Sequence, residues 1–263
     1  KAGAAGGVAP GRLRPPPSRG RRLNAVGLAV LALAPTAALA QPPSCVAPDR
    51  TIIPRLEQPK RGEPVRNPPI AGYLLSLSWS PEHCAGVRNA KDARDRFQCS
   101  GENGRFGWVL HGLWPEAAAP GYPQWCRPAK IVPQPVLRRH MCMTPSAQLL
   151  QHEWAKHGTC MSPDPASYFR AAEILFRTVN FPDMTALAAR PQTAGSIRQA
   201  FVARNRGIRP EMLAVATDRD GWLSEVRYCL GPRMKPQRCL PFQRGLADKR
   251  AVLPIVGAYY KPV

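Results

Sequence analysis

Nine consecutive residues, His152-Glu153-Trp154-Ala155-Lys156-His157-Gly158-Thr159-Cys160, gather two imidazoles, a carboxylate and an ammonium into six positions. A second short segment stands upstream, Val109-Leu110-His111-Gly112-Leu113-Trp114-Pro115, and adds a third imidazole. The unperturbed pKa of histidine, about 6.5, suits it to act as acid or base near neutral pH. An ammonium stabilises negative charge that grows in a transition state. A carboxylate orients an imidazole or, when protonated, donates to a phosphoryl oxygen. Together these groups match what cleavage of an RNA phosphodiester requires. The 2′-hydroxyl must lose a proton to attack phosphorus, the 5′-oxygen must gain one to leave, and the pentacoordinate phosphate between them must be held.

Helix geometry accounts for the spacing. His152 and Lys156 stand at i, i+4, as do Glu153 and His157, so two adjacent rows form one patch on a helix through 152–157. Zinc proteases place two histidines at i, i+4 in H-E-x-x-H. Here the second histidine is at i+5, ~140° round the helix from the first, so the spacing argues against chelation and no metal is expected. Taken singly, each residue has a plainer reading. A lone histidine at a strand end, such as His111, is more often structural. A Glu and a Lys on one helix face are usually a solvated ion pair, and Trp114 and Trp154 alone would be core aromatics. Three of only five histidines fall in the two motifs, and that clustering favours chemistry. His83 and His140 remain as surface histidines.

Charge and cysteines bound the setting. The chain has 263 residues and a net charge of +20. Residues 1–40 hold six Lys/Arg and no Asp/Glu, leaving +14 for residues 41–263. Such a cation attracts nucleic acid, anionic lipid or anionic glycan, but charge alone supplies no chemistry. Arg19, Arg21 and Arg22 precede an apolar run from Leu23 to Leu33, then Pro35 and Ala38-Leu39-Ala40, the order of a secretory signal peptide. Cleavage is expected after Ala40, with residues 1–18 an upstream extension or the product of a misplaced start. The run falls short of the ~20 apolar residues of a membrane span, so the mature form is expected to be free of the membrane, periplasmic or secreted. All eight cysteines lie beyond it, even in number and without a C-x-x-C pair, which reads as up to four disulfides in an oxidising compartment.

The elements can then be placed. Residues 41–70, with eight prolines, read as an extended leader held at Cys45. In Tyr73–Trp79, Leu75, Leu77 and Trp79 alternate with Ser76 and Ser78, a strand buried on one face. Residues 84–104 read as a loop. Phe106–Leu113 is apolar and short, a more central strand that delivers His111 to its end before Pro115 breaks the ladder. Residues 115–141 form a long irregular connection. Thr144 or Ser146 can cap a helix running to His157, with Gly158 as its stop. Helices are expected at Ala166–Asn180, Met184–Ala189 and Ser196–Ala203, a hairpin with an Asp-Gly turn joins 213–217 to 222–230, and a short strand follows Cys239. Strands and helices mix without alternation, which predicts an α+β domain.

These residues resemble a known family. His111–Pro115 and His152–Cys160 look like the two active-site segments of the ribonuclease T2 family of secreted or periplasmic endoribonucleases. Tyr73–Trp79 with Cys84, Ser167-Tyr168-Phe169 and Gly221–Cys229 resemble its first core strand, a later helix and a late strand, so the likeness covers about 73–242. It implies a central antiparallel sheet flanked by helices, with residues 71–263 as the catalytic domain, acting without a cofactor and as a monomer on RNA. It implies metal-independent transesterification of single-stranded RNA, with low base specificity, to a 2′,3′-cyclic phosphate, then slower hydrolysis to a 3′-phosphate. By motif position His157 is the general base and His111 the general acid, the two exchanging roles in hydrolysis. His152 binds phosphate, Glu153 and Lys156 stabilise the pentacoordinate intermediate, Trp114 stacks a base and Glu116 accepts a hydrogen bond from it. The likeness implies disulfides Cys142–Cys160 and Cys229–Cys239; among the rest Cys84–Cys99 is the nearest pair, leaving Cys45 and Cys126. The leader has no counterpart in the family, and the connection 115–141 is this chain's own. A catalytically inactive cationic protein that binds RNA or glycan is the alternative, but such a relative would normally have lost a catalytic histidine, and both are present.

Overall fold

A computed structural model describes residues 45–87 and 95–253; the expected signal segment, residues 1–40, lies outside the described residues. The predicted alternation produces β1, Gly72–Trp79. It is followed by two short helices, α1 (Ser80–Ala85), which runs into the expected 84–104 loop, and α2 (Arg96–Cys99), which lies inside it. Next come β2 (Trp108–Glu116), α3 (Gln134–His140) and α4 (Ala147–Glu153), a π-turn at Trp154–Gly158, and α5 (Thr159–Met161). Helices α6 (Pro165–Arg177) and α7 (Met184–Ala188), β3 (Gln192–Thr193) and α8 (Ala194–Arg204) lead to the hairpin β4 (Leu213–Thr217) and β5 (Leu223–Leu230). A two-residue strand, β6 (Ala251–Val252), pairs with β3 in a small separate sheet. The fold is α+β, as expected.

The main sheet is antiparallel with order β2-β1-β5-β4. The second motif's strand is therefore at an edge rather than central. That position lets β2 run through Pro115, opposite Tyr73, because an edge strand has no outer ladder for a missing N–H to break. The outer edge is satisfied by side chains and loop. Leu110 N–H donates to Met143 O (2.9 Å), Thr144 Oγ1 donates to Leu110 O (2.8 Å), and the buried Tyr168 hydroxyl donates to Leu113 O (3.0 Å). Such pairing matters because a buried, unpaired backbone group costs about 1–3 kcal/mol.

One face of the sheet forms the core. Leu75, Leu77, Leu110, Leu113 and Val226 are at most 2% exposed and pack among Tyr168, Phe176, Ile197 and Phe201 of α6 and α8. The opposite face was expected to meet solvent at Ser76 and Ser78, yet Ser76 is fully buried. Here the rows across β2, β1 and β5 are Val109–Ser78–Glu225, Gly112–Ser76–Arg227 and Trp114–Leu74–Cys229. The small serines of the middle strand form a floor on which side chains from both neighbours lie.

A bulge breaks the register between Ser76 and Leu77. Ser76 pairs with Gly112 and Leu77 with Leu110, so His111 is the extra residue of β2. The slip moves core residues from 108 and 110 to 113 and turns His111 toward the serine floor. Bulges commonly re-aim side chains beside active sites.

Three sequence expectations are corrected. The leader is held along its length: Thr51 N–H and Oγ1 donate to Gln134 Oε1, Arg55 N–H donates to Gln148 Oε1 (2.8 Å), and Arg66 pairs with Gln124. The disulfides are Cys45–Cys142, Cys84–Cys99, Cys126–Cys160 and Cys229–Cys239. Cys142 thus does not join Cys160. The leader runs beside α3 and brings Cys45 to Cys142, while the 115–141 connection folds back and brings Cys126 to Cys160. With partners separated by 97 and 34 positions in sequence, the chain-entropy model assigns these two bridges about 5 and 4 kcal/mol. His140 is not a surface residue; it is 2% exposed, with its ring 5.4 Å from that of Phe169. Burial pushes its pKa down to about 4.

Candidate active site

The helix that carries His152 and Glu153 begins as read from the sequence. Ser146 Oγ caps α4 by accepting from Leu149 N–H (3.3 Å). It ends differently. Gly158 has helical φ (−61°) and lies inside the turn; the chain leaves the helix at Ser162, which is extended. Gly158 is required by space rather than by a helix stop, since a Cβ there would lie 2.4 Å from Trp154 Cε3 and 3.0 Å from Tyr168 Cγ. From Trp154 the helix widens into the π-turn, a feature frequent at functional sites. The carbonyl of Lys156 accepts from Trp125 N–H at 2.8 Å. Trp125 reaches it in the left-handed region (φ 59°), beside the Cys126–Cys160 bridge.

Both rows of the predicted patch are present, each against one tryptophan. Glu153 Oε2 accepts from Trp114 Nε1 (2.8 Å), and the His157 ring stacks on Trp114 at 5.5 Å. The His152 ring meets Trp125 edge-on at 5.8 Å, and Lys156 Nζ lies 5.9 Å over the same indole. His111 completes the cluster. Its ring is 5.2 Å from Trp114, its Nε2 is 3.5 Å from Glu153 Oε1, and its Nδ1 is 2.6 Å from Glu225 Oε1. The structure therefore brings His111, Trp114, Glu153 and His157 together around one indole, with His152 and Lys156 alongside. Glu116 lies at the end of β2, buried, and accepts from Gln243 Nε2 at 3.0 Å.

The environments of the two inner histidines differ in sign. Burial opposes the charged form of His111, but the Glu225 hydrogen bond and the charges of Glu153 and Glu225 outweigh it, so its pKa is raised. Around His157, burial and then the positive charges of Lys156, His152 and His111 all act in one direction, holding its pKa well below 6.5. Its Nδ1 has no hydrogen-bond partner among the described residues. Burial pushes Glu153 up to about 7, against the pull of His111 and Trp114. His152 is lowered, chiefly by burial.

Sequence reasoning missed several residues of the site. Glu225 and Arg227 come from β5, with the Arg227 guanidinium 5.1 Å over Trp114. Tyr122 faces His157 at 5.7 Å. Glu57 and Glu63 come from the leader: Glu63 Oε1 is 2.9 Å from Lys156 Nζ and Glu57 Oε2 is 3.5 Å from His152 Nδ1. A signal for Glu225 and Arg227 was available, because charged residues in a strand otherwise rich in core side chains invite a partner. Nothing local marked the two leader glutamates.

Fold and site define an α+β protein with four disulfides and a histidine–carboxylate cluster laid over a serine-floored sheet. A family model described as the Ribonuclease T2 family matches residues 71–239, and the chain belongs to that family. A probable ribonuclease of Haemophilus influenzae is 36% identical over 124 residues, 44% of this chain and 45% of that protein. A ribonuclease of Aeromonas hydrophila is 38% identical over 119 residues, 45% of this chain and 50% of that one. The chain spans about half the length of these curated relatives. Among solved structures, trichomaglin, described as an S-like ribonuclease, shares the fold with a TM-score of 0.55 and 20% identity, over 70% of this chain and 97% of its own.

Proposed function

We propose that this protein is an endoribonuclease that cleaves single-stranded RNA by transesterification to a 2′,3′-cyclic phosphate and then hydrolyses that ester to a 3′-phosphate. The observation that carries the reading is the gathering of His111, His157 and Glu153 around the Trp114 indole, in surroundings that push the two imidazoles in opposite directions. Paired titratable groups pushed apart in pKa mark an acid and a base. His157, kept neutral, takes the proton of the 2′-hydroxyl; His111, kept charged, gives one to the 5′-oxygen; the roles reverse in hydrolysis. Lys156 supplies positive charge to the pentacoordinate phosphate and His152 holds a phosphate oxygen. Glu153, close to half-protonated near neutral pH, donates to or accepts from the same centre. All proton transfers are assigned to side chains, so the reaction needs no metal. Trp114 and Glu116 form the base site, and since stacking tolerates any base, discrimination is weak. Family membership and the descriptions of the two bacterial relatives support the activity. Four disulfides suit an oxidising compartment, so residues 71–263 are proposed to work as an exported, monomeric catalytic domain, with the leader tied to it from Cys45 onward.

A single digestion tests the reading. The oxidised protein is incubated in EDTA with a defined RNA oligonucleotide and, in parallel, with its 2′-deoxy analogue, and the ends are read by mass spectrometry. Cyclic phosphate ends from RNA alone are expected. Intact RNA from protein with all four disulfides verified would discard the enzyme in favour of a cationic binding protein.

The leader adds a quantitative expectation. Burial works against the charged form, but the Lys156 hydrogen bond and charge hold Glu63 down to about 2, so it remains an anion on the proposed phosphate ligand. Glu63→Gln should free that cation. RNA binding should tighten, and log K should fall more steeply with log salt, by about 0.7 for one further phosphate contact on a single strand. Fluorescence anisotropy across a salt series measures both; weaker binding would mean that Glu63 instead holds Lys156 in place.

A further inference from the structure

We infer that Glu225 is the positioning residue of the proposed general acid: it grips His111 at Nδ1 and so turns Nε2 toward the cleft. Its catalytic consequence rests on the ribonuclease reading; the pairing itself rests on geometry alone.

The contact is not one that neighbouring strands make by default. His111 is on β2 and Glu225 on β5, and β1 runs between them. Adjacent strands lie ~4.8 Å apart, so these backbones are separated by roughly 10 Å. Three features let the two side chains meet. The bulge makes His111 the unpaired residue of β2 and frees its direction. The middle strand carries Ser78 at the crossing point, paired with Val109 on one side and Glu225 on the other. A larger side chain there would occupy the space; Ser78 Oγ instead lies 3.4 Å from both His111 Nδ1 and Glu225 Oε1. Finally, Glu225 divides its two oxygens. Oε1 takes the imidazole at 2.6 Å, while Oε2 accepts from Arg227 Nε (2.8 Å) and Nη2 (2.5 Å). Arg227 therefore fixes the carboxylate plane that fixes the imidazole.

The division of labour follows from which ring nitrogen is used. With Nδ1–H donated to Glu225, neutral His111 has its lone pair on Nε2, and the charged form carries its transferable proton there. Nε2 is the nitrogen that faces Glu153, 3.5 Å away, and the cluster around Trp114. The groups facing His111 are Glu225 and Arg227 from β5, Glu153 and His152 from α4, His157 from the π-turn and Trp114 from β2. Of the anions, Glu225 alone bonds Nδ1 and lies at hydrogen-bond distance. It is fit for this, because despite burial His111 and Arg227 hold its pKa at about 2. A carboxylate bonded to one ring nitrogen fixes the tautomer and orientation of an imidazole; beside metal-bound histidines the loss of such a partner typically costs 10–100-fold.

The test combines nitrogen NMR of the imidazoles with kinetics on the full disulfide-bonded chain. In the parent protein, neutral His111 should be the Nδ1–H tautomer with a pKa above 6.5. In Glu225→Gln, that pKa should fall by about 1–3 units and the tautomer preference should be lost. On RNA, kcat should fall ~10–100-fold with KM little changed, and the alkaline limb of the pH–rate profile should move to lower pH. Glu225→Asp should recover part of both. A merely structural ion pair with Arg227 would lower thermal stability in Glu225→Gln and leave tautomer and limb where they were; that result would overturn the proposal. If Glu225→Gln does not fold, an Nε2–H tautomer for His111 in the parent protein overturns it equally. Absence of RNA cleavage by the parent protein sinks the ribonuclease reading instead, and the NMR arm still decides whether Glu225 positions His111.

Discussion

His157→Ala and His111→Ala should each lower kcat/KM on RNA by ~10²–10⁴-fold, the usual worth of a positioned general base or acid. The double variant should lose little more than the worse single one, since groups acting as a unit are not additive. The pH profile separates the two roles. A base must be deprotonated, so His157, the proposed base, held well below 6.5, should set the acidic limb. An acid must be protonated, so His111, the proposed acid, raised above 6.5, should set the alkaline limb. The parent profile should therefore be a bell with a broad top spanning pH 6.5. His157→Ala should lose the acidic limb and His111→Ala the alkaline one. Glu153, at about 7 and 3.5 Å from His111, titrates with it, so the alkaline limb belongs to the pair. Rates from pH 4 to 9, with melting curves to show that each variant folds, measure this. A flat profile, or near-full activity in either variant, would contradict the assignment.

The second large effect comes from a residue with no side chain. A Cβ at Gly112 would lie 1.9 Å from Glu153 Oε2 and 2.6 Å from Trp114 Nε1. Glu153 is 1% exposed and has nowhere to retreat, so Gly112→Ala must break its hydrogen bond with Trp114. Displacing a catalytic constellation by about 1 Å costs on the order of 10²-fold in rate, and overpacking costs ~1–3 kcal/mol. Both losses are expected together: a fall in kcat of that size and a lower melting temperature. A variant that melts lower yet cleaves RNA at the parent rate would show that the Glu153 carboxyl is not held there for chemistry.

Much of the site was legible because it is local. His152, Glu153, Lys156 and His157 share a patch through helical periodicity, and the π-turn did not disrupt either row: Glu153 and His157 meet Trp114, His152 and Lys156 meet Trp125. The helices and the hairpin were legible for the same reason, marked by apolar spacing, by the cap at Ser146 and by the Asp-Gly turn. Gly158 shows the limit even of a local signal. A glycine near a helix end usually marks a stop, but here the constraint is the close approach of Trp154 and Tyr168, one of them ten residues away.

By itself, then, the sequence determined the chemistry on offer, the two motifs and the α+β mixture of elements. All of these depend on residues close enough along the chain for periodicity, capping and loop closure to relate them. The tertiary structure alone decided what depends on distant partners. It placed β2 at an edge with a bulge at His111, and paired Cys45 with Cys142 across 97 residues. It drew the leader's Glu63 onto Lys156 and set Glu225 against His111 across 114 residues and an intervening strand. Strand order and register bring such groups together, and these follow from how the whole core packs, which no short stretch of residues records.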